Sequence, residues 1–400
     1  MEFLGIESLI DIGKNKKYSI EKKIKNLAKR YANNFQKYKL SHIPLIIGTE
    51  KFPDKKKSHL WMDFEEKNWF VPKYIFYKEN KKYFFVINLF KDEKDWKNIG
   101  NEIKKLLGTN SSDELENNFI MSLTNVKSKS QLKQNVNDWK NKVNFILKNI
   151  HKGKIEKIVL SRQVDYKLNV KPSLSFLVQK LNEKYPENYC FLFKKSKSIF
   201  FGASPERLVK IKNSIIQTEA LAGSIIRGKN TNEDKYLEKE LLKSNKNIFE
   251  QKAVVDFIID RLKFIATQIK LNKKPKIKKL THIQHLFTKI NAKLKDNISI
   301  TSIIKNLHPT PAICGIPSNE ALKIISKLEE QERGLYSGVI GWFNFNNEGE
   351  FAVAIRSALI KNKKLFTFSG CGIVSGSNPE EEFLESELKL KTIISLFQRQ

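Results

Sequence analysis

Ser369-Gly370-Cys371-Gly372-Ile373-Val374-Ser375-Gly376-Ser377-Asn378-Pro379-Glu380-Glu381-Glu382-Phe383-Leu384-Glu385-Ser386-Glu387-Leu388-Lys389 is the stretch on which the reading of this chain turns. The apolar run 365–368 ahead of it predicts a strand. Gly370, Gly372 and Gly376 then let the backbone turn tightly and approach a ligand. Asn378 suits a helix N-cap and Pro379 the first helical position, so a helix should follow. On it Glu382, Glu385 and Lys389 step by three and four and share a face. Phe383, Leu384, Leu388 and Ile393 mark the apolar stripe beside them. Two readings stay open. Acidic residues in a first turn complement the helix dipole and need do nothing else. Alternatively, a nest of backbone N–H groups opening onto a carboxylate-bearing helix suits an anionic ligand bridged by a hard cation. No Gly-Lys-Ser/Thr follows, so this is not a P-loop, and the G-x-G-x-x-x-G spacing is not the dinucleotide fingerprint.

Moving outward, 333–345 and 351–360 predict two long strands. In the second, Phe351, Val353, Ile355 and Ser357 face one way and Ala352, Ala354, Arg356 and Ala358 the other. An arginine between alanines has space for bidentate capture of a carboxylate, or else it pairs a structural acid. His308-Pro309-Thr310-Pro311-Ala312-Ile313-Cys314-Gly315-Ile316-Pro317 is a stiff non-helical loop, either a connector or a ligand wall. Residues 318–331 predict a helix. The segment 236–269 reads as one long helix with Val254, Ile258 and Leu262 as its stripe. Glu250 lies on that stripe, and a carboxylate there needs a partner, either a cation or a metal. His282 and His285 have no acid ligand nearby and read as structural.

The strand 157–164 alternates so that Lys157 shares a face with Val159 and Ser161. The lysine either caps a sheet edge or points into a site. A helix at 173–185, a hairpin of 189–193 with 199–202, and a strand at 207–211 follow. Glu206 sits in the turn before that last strand, just past Ser204-Pro205, where a glutamate is usually solvated. Glu219-Ala220-Leu221-Ala222-Gly223-Ser224 is rich in small residues, where backbone can come close to a ligand. Val136, Trp139, Val143, Ile146 and Ile150 predict an amphipathic helix, and 122–135 a surface connection. Residues 1–40 read as basic and helical. Ile43-Pro44-Leu45-Ile46-Ile47-Gly48 and 83–89 read as strands, and Trp61-Met62-Asp63-Phe64 as a strand edge at a turn. Nothing in 1–120 suggests catalysis.

The chain has 400 residues, enough for one large α/β domain or two smaller ones. The formal net charge is +30, but the lysines are scattered, with no RNA-recognition signature, zinc-finger spacing or basic tail. Nucleic acid is therefore not the expected partner, although such a charge attracts small dianions. No apolar run is long enough to span a bilayer, and Met1-Glu2-Phe3-Leu4-Gly5-Ile6-Glu7 lacks a secretory n-region. The three cysteines, Cys190, Cys314 and Cys371, are far apart and read as reduced thiols, so a cytoplasmic protein is expected.

Taken together, the ordered motifs resemble the chorismate-utilising enzymes, and within them the isochorismate synthases. The motifs are Lys157-Ile-Val-Leu-Ser-Arg162, Gly202-Ala-Ser-Pro-Glu206-Arg207, Ala220-Leu-Ala-Gly-Ser224 with Arg227-Gly228, His308-Pro-Thr-Pro-Ala312, Tyr336-Ser-Gly338, Ala354-Ile-Arg356-Ser, and Gly370-Cys-Gly-Ile-Val374 through Glu382 and Glu385 to Lys389. The resemblance implies an α+β fold of two stacked antiparallel sheets flanked by outer helices. It implies a single large domain, with 1–135 as scaffold and 136–400 as the chorismate-binding catalytic region. It implies conversion of chorismate to isochorismate, with Lys157 as the base for water and Glu206 as the acid for the leaving hydroxyl. Glu250, Glu382 and Glu385 would hold Mg²⁺. Arg356 and Tyr336 would grip the enolpyruvyl carboxylate, Lys389 and the backbone around Gly372 the ring carboxylate, and Ala222, Gly223 and Ser224 would line the substrate. Lys157 together with Ala222 favours water over ammonia, so no glutaminase subunit is expected, and the chain is expected to be a monomer. Menaquinone synthesis is the favoured pathway, with a siderophore pathway or a salicylate synthase as the alternative. Gln251 departs from the histidine usual in the family and puts the surroundings of the metal in question.

Overall fold

The computed structural model describes residues 2–12, 22–24, 26–27, 46–79, 81–89, 98–102, 104, 123–125, 129–272 and 274–398. Two antiparallel sheets carry the architecture. The larger runs β1 (Glu2–Asp11), β3 (Lys67–Glu79), β2 (Ile46–Glu50), β15 (Val339–Phe343), β16 (Gly349–Val353), β9 (Arg207–Lys212), β10 (Ile215–Ile226), β13 (Ile283–Leu294) and β11 (Ala266–Leu271). β4 (Lys82–Ile87) adds to β3, and β12 (Lys276–Lys279) to β13. The smaller sheet runs β14 (Gly315–Ile316), β6 (Lys157–Leu168), β18 (Lys364–Val374), β17 (Ser357–Lys361), β8 (Ser198–Ser204) and β7 (Tyr189–Lys195), with β5 (Leu123–Asn125) beside β6. Seven helices are described in full: α1 (Lys129–His151), α2 (Leu174–Lys184), α3 (Thr231–Lys243), α4 (Asn245–Ile265), α5 (Ile300–Leu307), α6 (Ser318–Leu328) and α7 (Pro379–Ile394). The two-sheet α+β fold expected from the resemblance is thus present.

Each helix lies on a sheet because its sequence carries one apolar stripe. On α1, Trp139, Val143 and Ile146 are buried. They join Ile158, Leu160, Cys371 and Ile373 from β6 and β18 in the largest core cluster. On α4, Val254, Ile258 and Leu262 pack in the same cluster with Ala220 and Ala222 of β10. Trp61, Phe200, Tyr336, Leu359 and Phe368 form a separate cluster, with Ile340 of β15 against it, that fills the space between the sheets. No helix among the described residues is long and apolar enough to cross a membrane.

Several sequence expectations need correction. Residues 2–11 form strand β1 and not a helix; the rest of the basic segment 1–40 lies almost wholly outside the described residues. The connection 122–135 contains β5 and the first turns of α1. Trp61 belongs to a short 3-10 turn, where its indole N–H donates to Glu332 O at 3.0 Å. The expected helix 236–269 breaks at Ser244, which is extended (φ −69°, ψ 108°) and whose hydroxyl caps α4 by accepting from Asn247 N. Its last residues leave the helix to become β11, paired with β13. The expected strand 351–360 is two strands in different sheets. β16 ends at Val353, β17 starts at Ser357, and Arg356 between them has φ +51°. No alternation runs through such a crossover, so the two-faced pattern read for Ala352, Ala354, Arg356 and Ala358 does not hold.

Candidate active site

The site grows from one strand edge. β18 pairs β6 along its whole length, from Lys364↔Lys167 to Val374↔Lys157. It pairs β17 only from Lys364 to Thr367. Beyond Thr367 its second edge therefore meets no strand among the described residues. Lys389 of α7 donates to the Gly370 carbonyl at that edge (2.9 Å). Glycine at 372 leaves room for Glu250 and Lys157 in their present geometry, since a Cβ there would lie 2.4 Å from Glu250 Oε1 and 2.8 Å from Lys157 Cε. At Gly370 it would lie 3.2 Å from the Tyr336 hydroxyl.

α7 starts as its sequence predicts, with Asn378 accepting from the amides of Glu380 and Glu381 and Pro379 in the first turn. This start turns Glu382, Glu385 and Lys389 toward β18. Lys389 pairs with Glu385 at 2.6 Å, and Lys246 of α4 pairs with Glu382. Burial and the charge of Glu385 push the Glu382 carboxyl up from its usual value. Burial opposes the charge of Glu385, but Lys389, Lys246 and Arg356 together hold that carboxyl below its usual value. Ligand atoms of Glu382, Glu385 and Cys371 lie within 4.8 Å of one another. The Cys371 thiol hydrogen-bonds the Glu382 carbonyl, and burial drives its pKa up, so it is a neutral neighbour and not a thiolate ligand. Crowded carboxylate oxygens suit a hard dication, which would relieve the repulsion felt at Glu382.

Lys157 is fully buried, and its ammonium pairs with Glu250 at 2.9 Å. β6 lies between β14 and β18, so Lys157 caps no sheet edge; it does not itself line the cavity of about 650 Å³ but stands behind Glu250, which does. Glu206 lines the same cavity and is 4% exposed. Burial, reinforced by the charge of Glu219 and opposed by Lys157, Lys278 and Lys389, raises its pKa to about 8. It is thus no solvated turn residue but a carboxylic acid that holds its proton at neutral pH.

The far wall is cationic. Arg356 is 7% exposed and has no carboxylate within ion-pair distance among the described residues. Burial pulls its pKa down and Glu385 partly restores it. Its Nη2 approaches His285 Nε2 at 3.4 Å, and His285 Nδ1 lies 2.9 Å from Ser224 Oγ. A guanidinium only donates, so Nε2 accepts and Nδ1–H donates to the serine. Burial and the Arg356 charge keep His285 neutral. His285 was read from sequence as structural; the register of β13, which sets it opposite Ser224 and Lys278, makes it part of the cavity wall. A signal was present, since 283–294 alternates as a strand and its faces can be assigned once β10 is placed.

The remaining positions fall around the same space. Tyr336 is buried and stacks on Phe368 with ring centroids 5.3 Å apart. Ala222, Gly223 and Ser224 line the wall, with Gly223 at φ +76° against Asn247. Ala312 and Ile313 of the proline-rich loop also line it, so that loop is a wall. Gln251 does not face the carboxylates. Its amide accepts from Ala222 N (2.9 Å) and donates to Ala220 O (3.0 Å) and Thr288 Oγ1 (3.2 Å), tying α4 to β10.

A cavity lined by the Arg356 guanidinium and Lys389 together with the carboxyl groups of Glu206, Glu250 and Glu385 suits chemistry on a small anion. The chain belongs to the chorismate-binding enzymes: the model described as "Chorismate binding enzyme" matches residues 1–398. It is 31% identical over 375 residues to isochorismate synthase MenF of Bacillus subtilis, covering 90% of this chain and 77% of that protein. It is 36% identical over 256 residues to the salicylate biosynthesis isochorismate synthase of Pseudomonas aeruginosa, covering 64% of this chain and 53% of that protein. Among solved structures, the putative 2,3-dihydroxybenzoate-specific isochorismate synthase DhbC of Bacillus anthracis superposes with a TM-score of 0.75 at 26% identity, over 98% of this chain and 92% of that one.

Proposed function

We propose that the protein is an isochorismate synthase that uses Mg²⁺ and supplies menaquinone synthesis. The observation that carries the reading is Glu206, a buried acid with a pKa near 8 in the same cavity as Glu250 and its partner Lys157. The reaction needs one acid and one base on a bound ring. Water adds at C2 as Lys157 removes a proton. The C1=C2 and C5=C6 double bonds shift to C6=C1 and C4=C5, and the C4 hydroxyl leaves as water with the proton of Glu206. Water is thus consumed and regenerated, and the product is an isomer of the substrate. Glu250, which accepts from the buried Lys157 amine at 2.9 Å, orients that side chain. Arg356 and Tyr336 would hold the enolpyruvyl carboxylate, and Lys389 with the backbone of β18 the ring carboxylate. Glu250, Glu382 and Glu385 would hold Mg²⁺, which when bound supplies charge neutralisation for the ring carboxylate. Relatives named for isochorismate synthesis support the substrate, and the MenF match over most of the chain supports the pathway.

Incubation of the purified protein with chorismate and Mg²⁺, with products separated by chromatography, tests the reading. Isochorismate without pyruvate is expected. Salicylate with pyruvate would move the protein to a salicylate synthase, and no product would overturn the activity.

A further inference from the structure

We propose that Glu219 and Lys278 are positioning residues that clamp the peptide groups on both sides of Glu206 and set the charge balance at its carboxyl. The inference rests on the reading of Glu206 as the acid and names what holds it. One carboxylate oxygen of Glu219, Oε1, accepts both from the Arg207 amide (3.0 Å) and from the Lys278 ammonium (3.0 Å). The same ammonium donates to the Pro205 carbonyl at 2.6 Å. Pro205 C=O belongs to the peptide before Glu206 and Arg207 N–H to the peptide after it. The two residues therefore grip the backbone of the acid from both sides, while Ser204 Oγ accepts from the Glu206 amide itself (3.2 Å). Neither is placed by its neighbours in sequence. Glu219 lies on β10, and Lys278 on β12 opposite His285. The Glu219 side chain is 6% exposed, so a charge there needs a reason, and the clamp supplies one.

The clamp also sets electrostatics. Around Glu206 stand Glu219 and Lys278 from the large sheet, Lys157 from β6 and Lys389 from α7. The same cavity receives Glu250 from α4, His285 from β13, and Tyr336, Arg356 and Glu385. Glu219 favours the protonated acid, and Lys278 offsets it. Removing one or the other should move the acid's titration in opposite directions.

The test is the pH dependence of chorismate turnover with saturating Mg²⁺, in wild type, Glu219→Gln, Lys278→Met and Lys278→Arg. Wild-type activity should fall as pH rises through about 8. Glu219→Gln keeps an oxygen for Arg207 but removes the charge, and should shift that alkaline limb down by about one pH unit. Lys278→Met should shift it up by a similar amount, and Lys278→Arg should leave it near wild type. A structural role alone would lower turnover without moving the limb in opposite directions, and that result overturns the clamp. Should Glu219→Gln fail to fold, the contrast between Lys278→Met and Lys278→Arg decides. Glu206→Gln separates the two ideas. If it keeps full turnover, the acid reading itself falls. If it is inactive while every limb stays put, only the clamp falls.

Discussion

Glu206 shows how much a single buried carboxyl can do. Its folded pKa of about 8 exceeds the ordinary 4.5, so below pH 4.5 neither state pays for ionisation. Between pH 4.5 and about 8 the unfolded chain ionises and the folded one does not, so the folded state loses stability as pH rises. Glu206→Gln should therefore melt higher than wild type at pH 8 and close to it at pH 4. It should also lose about 10²-fold or more in turnover while still binding chorismate. A melting difference independent of pH would show that the carboxyl is not held protonated. Sequence alone reached Glu206 only through the resemblance, because a Ser-Pro-Glu turn reads as solvated and burial is set by strands far away in the chain. Gln251 carries the same lesson. Beside Glu250 in sequence, it faces β10 and not the carboxylates, because adjacent helical residues point about 100° apart.

At the scale of elements, the strand–turn–helix from β18 to α7 was the most legible part. Glycines, an Asn cap, Pro379 and the three- and four-residue steps all act within a few residues of one another. What the sequence could not carry was any break made by tertiary pairing. The two halves of 351–360 have similar apolar content, and only their partners, β9 and β15 for one and β8 and β18 for the other, separate them into different sheets. The close packing at Gly372 makes an element-scale prediction. A methyl at that position meets the tip of Glu250 and the Lys157 side chain, both of which can shift, so Gly372→Ala should cost little in melting temperature and at least tenfold in turnover. A variant with wild-type turnover would mean that the Lys157–Glu250 pair is not needed in its present geometry.

For the whole molecule, the carboxylates of α4 and α7 come together only when helices from distant parts of the chain dock on their sheets. A cation held, as proposed, by Glu250, Glu382 and Glu385 would therefore bind the folded state and not the unfolded chain. Mg²⁺ at one hundred times its Kd should add about 2.7 kcal/mol, a rise of about 3 °C in melting temperature for a chain of this size. Glu382→Gln should abolish most of that rise. A melting temperature unmoved by millimolar Mg²⁺ would remove the carboxylate site, whatever the activity shows.

The crossover at Arg356 has a mechanical consequence. Three residues, 354–356, join β16 of one sheet to β17 of the other, and the guanidinium proposed to hold the ligand sits on that joint. A bound anion is thus a rivet through both layers. Amide hydrogen exchange should slow on β16 and β17 together when ligand is present, although the two strands share no ladder, because local opening of either would have to pull the rivet first.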